Sequence, residues 1–379
     1  MVMLDRLKAR DIVLVVDDSP ETLGMLTDAL EEAEVTVLVA LEGAKALALV
    51  DEIAGSEALM QRLAIPEPFR DWIAESWRRR DGHLYGRLDF AYDGQGPAKL
   101  YELNYDTPTS LFEAAFFQWQ WLEDQRESGR LPATADQFNS IHEQLVDRFG
   151  ALSAQLPPPL MFAAMRGSEE DQGTVEYLRD CAAQAHLHGA AIALEDIGLS
   201  DDGRFTDPDD NVIGALFKLY PLEDLFEDDF GRALPGSGLR LLEPPWKALL
   251  SNKGVLPLLW ERHPGHPNLL AAEFDDGSPL PPGWVRKPLH SREGANVSLH
   301  LPDGRLIESD GPYAGPCIRQ ALHPLPEFDG HFPMVGSWIV GDAACGIGIR
   351  EDDSRITRDT ARFVPHAIVE DGAQSVLYA

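Results

Sequence analysis

The segment KLYELNYDTPTS, Lys99 to Ser110, carries three oxygen-bearing side chains at alternate positions. Alternate residues of a strand point to the same face, so Glu102, Asn104 and Asp106 are expected on one face. The positions between them carry aromatic and aliphatic side chains for the opposite face: Tyr101, Leu103 and Tyr105. A strand that presents several polar oxygens in a row is suited to binding a cation.

A second strand is predicted just before this segment, because GRLDF is joined to it by the turn YDGQGPAK, which is typical of a hairpin. Folding of the hairpin brings Asp89 beside Glu102 and Asn104, which gives two carboxylates and an amide oxygen as hard ligands for Mg²⁺. Arg87 points the same way and could hold a phosphate or an anionic intermediate. A solvated polar strand face with an ion pair fits the same residues, and spacing alone leaves both interpretations open.

Basic residues cluster later in the chain, in WKALLSNKG and WVRKPLHSREGANVSL: Lys247, Lys253, Arg286, Lys287 and Arg292. A lysine on the strand VRKPL could lie along a nucleotide phosphate, and backbone N–H groups of SREGAN could cover phosphates. One glycine is also typical of an ordinary turn, and the chain has no GxxxxGK[ST] phosphate loop. The acidic and basic clusters together are more specific than either alone.

Arg350 ends an apolar strand in ACGIGIRED, where it is either a structural salt-bridge partner or aimed into a cleft. No nucleophile stands out, because the chain lacks a G-x-S-x-G elbow and no cysteine has a Cys/His signature. Four histidines without metal-ligand spacing are interpreted as surface or loop residues: His263, His266, His290 and His300.

The chain has 379 residues and a formal net charge of −31, with 63 acidic against 32 basic side chains. This balance argues against non-specific nucleic-acid binding, which needs a basic face. It is compatible with a cationic substrate such as a polyamine, although most acidic proteins are simply soluble.

No apolar run reaches the roughly 18 residues of a membrane span. Three scattered cysteines indicate a reducing compartment, so we expect a cytoplasmic protein. From the charge and the apolar runs, we expect no nucleic-acid or membrane partner.

The first 53 residues follow a short βαβα order and resemble the first half of a response-regulator receiver domain. Asp17 and Asp18 match the acidic magnesium pair of that domain, while Ser19 and Pro20 are expected to start the first helix. The phospho-accepting aspartate and the later landmarks are missing, so phosphoryl signalling is not expected.

Helices and strands alternate irregularly beyond residue 53, which predicts an α+β fold. Helices are expected in PEPFRDWIAESWRRR, SLFEAAFFQWQWLED and DQFNSIHEQLVDRFGAL. A strand, a helix and a strand are expected after LPPPL, in LMFAAM, GTVEYLRDCAAQAHLHG and AAIALEDI. Two further strands are expected in MVGSWIVG and ACGIGIRED.

Several stretches together resemble the glutathionylspermidine synthase family, and are most similar to its members without an amidase domain. They include GRLDFAYDGQGPAKLYELNYDTPTSLFEAA, FKLYPLED, EPPWKALLSNKGVLPLLWERHPGHPNLL, VRKPLHSREGANVSL and PEFDGHFPMVGSWIVGDAACGIGIRED. The resemblance covers residues 54–370 and implies a circularly permuted ATP-grasp fold, in which metal-binding strands precede nucleotide-binding lysines. It divides the chain into a receiver-like fragment (1–53), a pre-ATP-grasp and metal-strand region (54–160), a central α/β substrate region (161–240) and a nucleotide-binding region (241–379).

The resemblance also implies roles for individual residues. Asp89, Glu102 and Asn104 match the Mg²⁺ ligands. Arg87 matches a residue that stabilises the transition state, and Arg350 matches a second active-site arginine. The residues that match ATP contacts comprise two lysines, the loop over the phosphates, the adenine pocket and a further nucleotide-contacting stretch: Lys253, Lys287, Glu293, Gly294, Gln320, Ala321, Leu322, His323, Arg355, Ile356 and Thr357.

Thr107 matches a contact to the acid substrate, and Glu223 is a candidate for the amine side. The implied chemistry uses ATP and Mg²⁺ to phosphorylate a small-molecule acid, whose acyl phosphate is attacked by an amine to give an amide and ADP. A peptide acid and a polyamine are the candidate substrates. The family's usual first segment is replaced here, and SREG differs from the Gly-Arg type loop of bifunctional members, so the specificity stays open. A non-catalytic or regulatory nucleotide-binding protein of the same fold and an uncoupled ATPase are the alternatives.

Overall fold

The computed structural model describes residues 12–15, 36–39 and 42–369, which form a mixture of helices and sheets. Two short parallel strands, β1 (Ile12–Val15) and β2 (Thr36–Val39), are followed by α1 (Glu42–Ala54). They lie where the sequence predicts two strands and a helix, and the receiver-like organisation of this segment stays a prediction. The N-terminal residues singled out above that lie outside the described ranges are Asp17, Asp18, Ser19 and Pro20.

The other helices of the described residues are α2 (Glu57–Arg62), α3 (Glu67–Arg78), α4 (Gln118–Glu127), α5 (Ile141–Leu152), α6 (Glu169–Gln184), α7 (Leu222–Glu227) and α8 (Val255–Arg262). The other strands are β3 (Tyr85–Ala91), β4 (Lys99–Asn104), β5 (Leu160–Ala164), β6 (Gly189–Ala193), β7 (Gly198–Leu199), β8 (Phe205–Thr206), β9 (Ala215–Lys218), β10 (Arg240–Leu242), β11 (Ala272–Phe274), β12 (Trp284–Pro288), β13 (Ser298–His300), β14 (Leu306–Glu308), β15 (Cys317–Ala321), β16 (Phe332–Val340), β17 (Ala343–Asp352) and β18 (Arg362–Val364).

The hairpin predicted around the acidic residues is confirmed, since β3 and β4 pair antiparallel. They form one side of a five-stranded antiparallel sheet with the order β18-β17-β16-β3-β4, called here the hairpin sheet. The connecting turn contains Gly94 and Gly96 with φ of 86° and 65°. This left-handed conformation costs glycine least, so the turn residues allow the chain to reverse.

The segment after the hairpin is helical, as predicted, but it is not a single α-helix. A π-helical turn, Glu113–Phe117, precedes α4. The turn keeps Ala114 and Ala115 buried while Phe116 and Phe117 are exposed. The prediction of one α-helix is therefore wrong at its start, where Glu113–Phe117 form a π-helical turn instead.

The strand–helix–strand unit predicted after LPPPL is confirmed as β5, α6 and β6. These strands belong to a four-stranded parallel sheet with the order β10-β9-β5-β6, called the central sheet. The Ser168 side chain accepts a hydrogen bond from the Asp171 N–H at 3.2 Å and so caps the start of α6. Lys218 is the last residue of β9 and contacts Asp106, which lies just beyond the end of β4.

A third sheet is antiparallel, with the order β11-β15-β12-β13-β14, and carries the sequence VRKPL on β12. Two large hydrophobic clusters support the hairpin from opposite sides. The first includes Leu103 and Trp246, and the second includes Tyr85, Phe162 and Trp338. In the part of the chain that the structure describes, no helix has the length and apolar character required to cross a membrane.

Candidate active site

A cleft of about 1330 Å³, counted with its solvent-filled opening, lies between the hairpin sheet and the third sheet. It brings together nearly all the residues singled out from the sequence. Those that line it are Arg87, Glu102, Asn104, Thr107, Lys253, Lys287, Glu293, Gly294, Gln320, Ala321, Leu322, His323, Arg350, Arg355, Ile356 and Thr357. Asp89 and Glu223 lie directly behind this wall, where each contacts residues that line the cleft.

The register of the hairpin places four polar side chains on one face. Arg87 lies directly across from Asn104, and Asp89 lies across from Glu102. Asp89 is fully buried, and Arg87 donates from Nε and Nη2 to its two carboxylate oxygens at 2.5 and 2.9 Å. Nη1 of Arg87 donates to the backbone carbonyl of Thr109 at 2.5 Å. A two-point, charge-assisted contact thus holds the guanidinium in one orientation.

Arg350 reaches the same place from β17. In the neighbouring strand β16, Gly336 lies opposite Asp89 on one side and opposite Gly348 on the other. A Cβ on Gly336 would lie 2.7 Å from Cδ of Arg87, so only glycine leaves room for the arginine stem. Nη2 of Arg350 lies 3.3 Å from Oδ2 of Asp89, so one carboxylate serves two arginines. Burial and the charge of Arg87 lower the pKa of Arg350.

Glu102 is held as a carboxylate by the cations around it. Burial raises the pKa of Glu102, but Lys253 and Lys287 outweigh that effect and the pKa falls to about 2. Nζ of Lys253 lies 3.1 Å from Oε2 of Glu102. Nδ2 of Asn104 donates to Oδ2 of Asp89 at 3.0 Å and lies 3.4 Å from Oε1 of Glu102.

Lys287 projects from β12 toward the hairpin. Its Nζ donates to Oε1 of Gln320 at 2.8 Å and to the backbone carbonyl of Tyr101 at 3.2 Å. Burial lowers the pKa of Lys287 to about 8, because the attraction of Glu102 offsets only part of the desolvation and Lys253 repels the charge. An ammonium whose charge the protein compensates incompletely is suited to an anionic ligand.

Two residues of the segment KLYELNYDTPTS depart from the predicted alternation. A β-bulge leaves Tyr101 without a cross-strand partner, and its side chain lines the cleft together with Glu102. The strand ends at Asn104, so Asp106 does not share the polar face. The carboxylate of Asp106 is buried, accepts a hydrogen bond from Lys218 and accepts another from the first N–H of α7 at 2.7 Å. Alternation applies only to regular strand, which explains both errors.

The loop SREGAN packs against a second stretch identified in the sequence. Glu293 and Gly294 have φ of 53° and 68°. A Cβ on Gly294 would lie 2.5 Å from Cγ2 of Ile356 and 2.6 Å from the carbonyl oxygen of Thr357, so this approach requires glycine. Burial and the carboxylate of Asp359 raise the pKa of Glu293. The two stretches form one continuous part of the wall.

Glu223 contacts the cleft wall from behind. Its carboxylate forms an ion pair with Arg292 and lies 3.7 Å from Nδ1 of His290, and both partners line the cleft. Burial raises the pKa of Glu223, but Arg292 and then His290 outweigh it and the pKa is lowered. His290 is a loop residue, as interpreted from the sequence, yet sequence reasoning missed its place in the cleft.

Two residues of the basic cluster do not line the cleft. Arg286 alternates with Lys287 on β12 and therefore faces away, where its Nε lies 2.7 Å from Oδ2 of Asp275. Lys247 is fully buried with its Nζ 2.9 Å from Oε2 of Glu243. Sequence reasoning also missed several apolar and hydroxyl side chains of the wall: Val285, Leu299, Leu301, Leu325, Met334, Thr109, Ser251 and Ser291. The period of two on β12 would have pointed to Val285.

The candidate Mg²⁺ donors are chemically suited to a hard cation. Asp89 and Glu102 supply carboxylates on one face, and Asn104 supplies an amide that contacts both. Over the described residues, no three His, Cys, Asp or Glu side chains group as a metal site. Two carboxylates and an amide completed by phosphate and water oxygens are a usual Mg²⁺ shell. Rotation of the Asn104 amide would turn its oxygen toward such an ion, and the metal role of all three residues stays a prediction.

Comparison with known proteins gives one family and several relatives. Residues 31–369 match the family described as glutathionylspermidine synthase preATP-grasp. A Haemophilus influenzae protein named as a candidate acid–amine ligase is 44% identical over 310 residues, which are 78% of this chain and 77% of that protein. Trypanothione synthetase of Crithidia fasciculata is 27% identical over 336 residues, which are 81% of this chain and 50% of that enzyme. The chain thus spans about half the length of this second relative.

The family match begins inside the segment that resembles a receiver domain, so β2 and α1 lie within the matched range. Among solved structures, a glutathione synthetase-like effector from Globodera pallida superposes with a TM-score of 0.51 at 13% identity. The superposition covers 86% of this chain and 85% of that one. At this identity the likeness shows a shared fold and nothing about substrates.

Proposed function

Because this chain belongs to the glutathionylspermidine synthase family, we infer that it is an ATP-dependent acid–amine ligase. The main support for this chemistry is that the candidate metal ligands and the basic side chains line one cleft. Glu102 and Asn104 of the hairpin line the same cavity as Lys253, Lys287 and Arg350. Oxygens suited to Mg²⁺ and cations suited to phosphate therefore meet in one place.

We propose that the reaction passes through an acyl phosphate. An oxygen of the acid substrate attacks the γ-phosphorus of ATP, and the bond from phosphorus to the ADP oxygen breaks. The amine nitrogen then attacks the carbonyl carbon, the bond from carbon to the phosphate oxygen breaks, and the nitrogen loses a proton. The products are an amide, ADP and inorganic phosphate. Such chemistry requires orientation and charge neutralisation more than a protein nucleophile, in keeping with the charged side chains of this cleft.

We assign roles from the contacts of each side chain. Lys253 and Lys287 hold ATP phosphates, since both ammonium groups are buried at the cleft wall. Arg87, oriented by Asp89 and accompanied by Arg350, neutralises the phosphoryl group as it is transferred. A guanidinium held in advance needs no reorganisation during the reaction.

The metal and substrate roles follow the same geometry. Asp89, Glu102 and Asn104 would hold Mg²⁺, which when bound neutralises phosphate charge. The adenine is proposed to lie between the stretches Gln320–His323 and Arg355–Thr357, where the wall is partly apolar. Thr107 is proposed to contact the acid. Glu223 is proposed for the amine side, although in the structure its carboxylate is paired with Arg292.

We propose a circularly permuted ATP-grasp arrangement, because the hairpin with the acidic residues precedes the lysine-bearing sheet in the chain. The proposed division keeps a receiver-like fragment (1–53), a metal-strand region (54–160), a central α/β substrate region (161–240) and a nucleotide-binding region (241–379). A peptide acid such as glutathione and a polyamine such as spermidine are the proposed substrates. Cys181, Cys317 and Cys345 are unpaired, which fits the proposed cytoplasmic location.

The test is ADP release with Mg²⁺ and ATP, across a panel that combines glutathione and other γ-glutamyl or peptide acids with spermidine, other polyamines and amino acids. Mass spectrometry of each mixture identifies any new amide. A new amide mass supports the ligase and names both substrates. ADP without an amide would point to an uncoupled ATPase, and ATP binding without ADP from folded protein would favour the non-catalytic alternative.

A further inference from the structure

The ion pair between Asp106 and Lys218 lies outside the proposed chemistry but directly beside it. The two side chains are 1% and 0% exposed. Asp106 lies two residues beyond the end of β4 in the hairpin sheet, and Lys218 is the last residue of β9 in the central sheet. The pair therefore joins the central sheet to the loop that follows the hairpin.

The loop that carries Asp106 is fastened at three successive points. The Tyr105 N–H donates to Oγ of Ser251 at 3.1 Å. The carboxylate of Asp106 accepts from Lys218 through one oxygen and from the Leu222 N–H at 2.7 Å through the other. Both oxygens are thereby directed, so the carboxylate has one orientation rather than a choice of several.

The residues that follow are those of the cleft wall. Thr107, Pro108 and Thr109 line the cleft, and the carbonyl of Thr109 accepts from Nη1 of Arg87 at 2.5 Å. The proline ring restricts φ of Pro108 near −65°, which leaves the loop fewer conformations in which to absorb a displacement of Asp106. A shift at the ion pair would reach both the proposed acid contact and the support of Arg87.

A buried ion pair is weak evidence of a stabilising role. Burial of two opposite charges carries a desolvation penalty that their attraction often fails to exceed, and well-packed apolar replacements are commonly neutral or stabilising. An ion pair can instead fix the relative position of two segments, because its hydrogen bonds have a set direction, whereas an apolar contact allows the segments to slide.

We propose that Asp106 and Lys218 are positioning residues, which set the loop 105–109 so that the acid substrate meets Arg87 in the reactive orientation. This inference rests on the proposed ligase function. The chain offers a control in Arg319 and Asp275, a second largely buried pair with a 2.6 Å contact in the third sheet, whose side chains do not line the cleft.

The test compares Asp106→Asn/Lys218→Met with Asp275→Asn/Arg319→Met. Each double variant removes both charges together and leaves no unpaired ion in the interior. Steady-state kinetics with glutathione and spermidine give the KM of the acid, the KM of ATP and kcat. Hydrogen–deuterium exchange reports the loop directly without any turnover, and thermal unfolding reports stability.

The first variant is expected to raise the acid KM about tenfold, to lower kcat and to leave the ATP KM within about twofold. Its exchange should be faster at residues 105–110 and at the start of α7. The control pair should leave the acid KM and that exchange unchanged. Unchanged loop exchange, or an acid KM that rises no more than the ATP KM, would overturn the positioning role. If wild-type protein turns over no acid–amine pair, the proposed function fails, and loop exchange still decides the inference.

Discussion

At the scale of single residues, the charged side chains of the cleft are paired with one another. One carboxylate, Asp89, serves two arginines, and another, Glu102, faces two lysines. Removal of either carboxylate would leave buried cations without their counter-charge. A bound phosphate chain would supply those cations with additional negative charge. The site is thus electrostatically prepared for an anion, and single charge changes should affect ligands before they affect folding.

Glu102→Gln should lower Mg²⁺-dependent ADP release by at least about 100-fold, because an amide of the same size cannot supply the anionic oxygen that a hard cation requires. The unfolding temperature should fall, because Lys253 and Lys287 lose a counter-charge, but the protein should stay folded, since the shape is kept. Rates measured against MgCl₂ concentration check both the loss and any shift in apparent metal affinity. Glu176→Gln on the surface of α6 is the control, and normal turnover of Glu102→Gln would remove the metal assignment.

ATP affinity should weaken as the pH rises through the pKa of Lys287, which is about 8. Below that pH the ammonium attracts phosphate, and above it the neutral amine does not, so the dissociation constant should rise toward tenfold per pH unit. Calorimetric titration of ATP between about pH 7.5 and 9.5 measures the slope. Lys287→Arg should abolish it, because a guanidinium keeps its proton. An equal slope in both proteins would assign the dependence to another group.

At the scale of elements, strand register decides which side chains meet. Arg87 and Asp89 on β3 share a face with Glu102 and Asn104 on β4, while Gly336 on β16 leaves room on that face for the stem of Arg87. Gly336 is therefore a position where an added side chain would meet Arg87. Such a side chain should disturb the chemistry without touching a ligand.

Gly336→Ala should lower kcat about tenfold or more and leave the ATP KM within about twofold, because the new methyl group displaces Arg87 from Asp89. Steady-state kinetics separate the two constants. Gly173→Ala in α6 is the control, where nothing lies within 4 Å and the helix should gain roughly 0.5–1 kcal/mol. An ATP KM that rose in step with the loss of kcat would move Arg87 to a ground-state role.

At the scale of the whole molecule, the formal net charge of −31 opposes the approach of anionic substrates and favours cationic ones. The basic side chains of the cleft act locally, and at ionic strengths near 0.15 M a charge is screened beyond about 8 Å. The protein therefore attracts a polyamine at long range, whereas it attracts ATP only at short range.

Rising ionic strength should lower kcat/KM for spermidine and should lower kcat/KM for ATP less, or raise it at the low-salt end. Initial rates from about 0.01 to 0.3 M salt, with the other substrates saturating, give both slopes. A monoamine acceptor serves as the control and should show a shallower slope than the polyamine. Parallel slopes for ATP and spermidine would show that the overall charge does not steer either substrate.

The sequence by itself determined what is local. The period of two and the glycine turn predicted the hairpin, because side-chain faces and chain reversal depend on neighbouring residues alone. Residue types and the family resemblance also identified the candidate metal ligands and the candidate basic side chains of the site. Sequence reasoning failed where regular strand is interrupted: the bulge turned Tyr101 into the cleft, and Asp106 left the polar face.

Only the tertiary structure decided which distant residues meet. Arg350 contacts Asp89 across the intervening strand β16, Lys287 faces the cleft while Arg286 does not, and Lys247 lies in a buried ion pair. The ion pair of Asp106 and Lys218 is likewise invisible in the sequence. Such contacts depend on sheet order and on how sheets pack, which arise from the summed burial of many apolar side chains rather than from any short pattern.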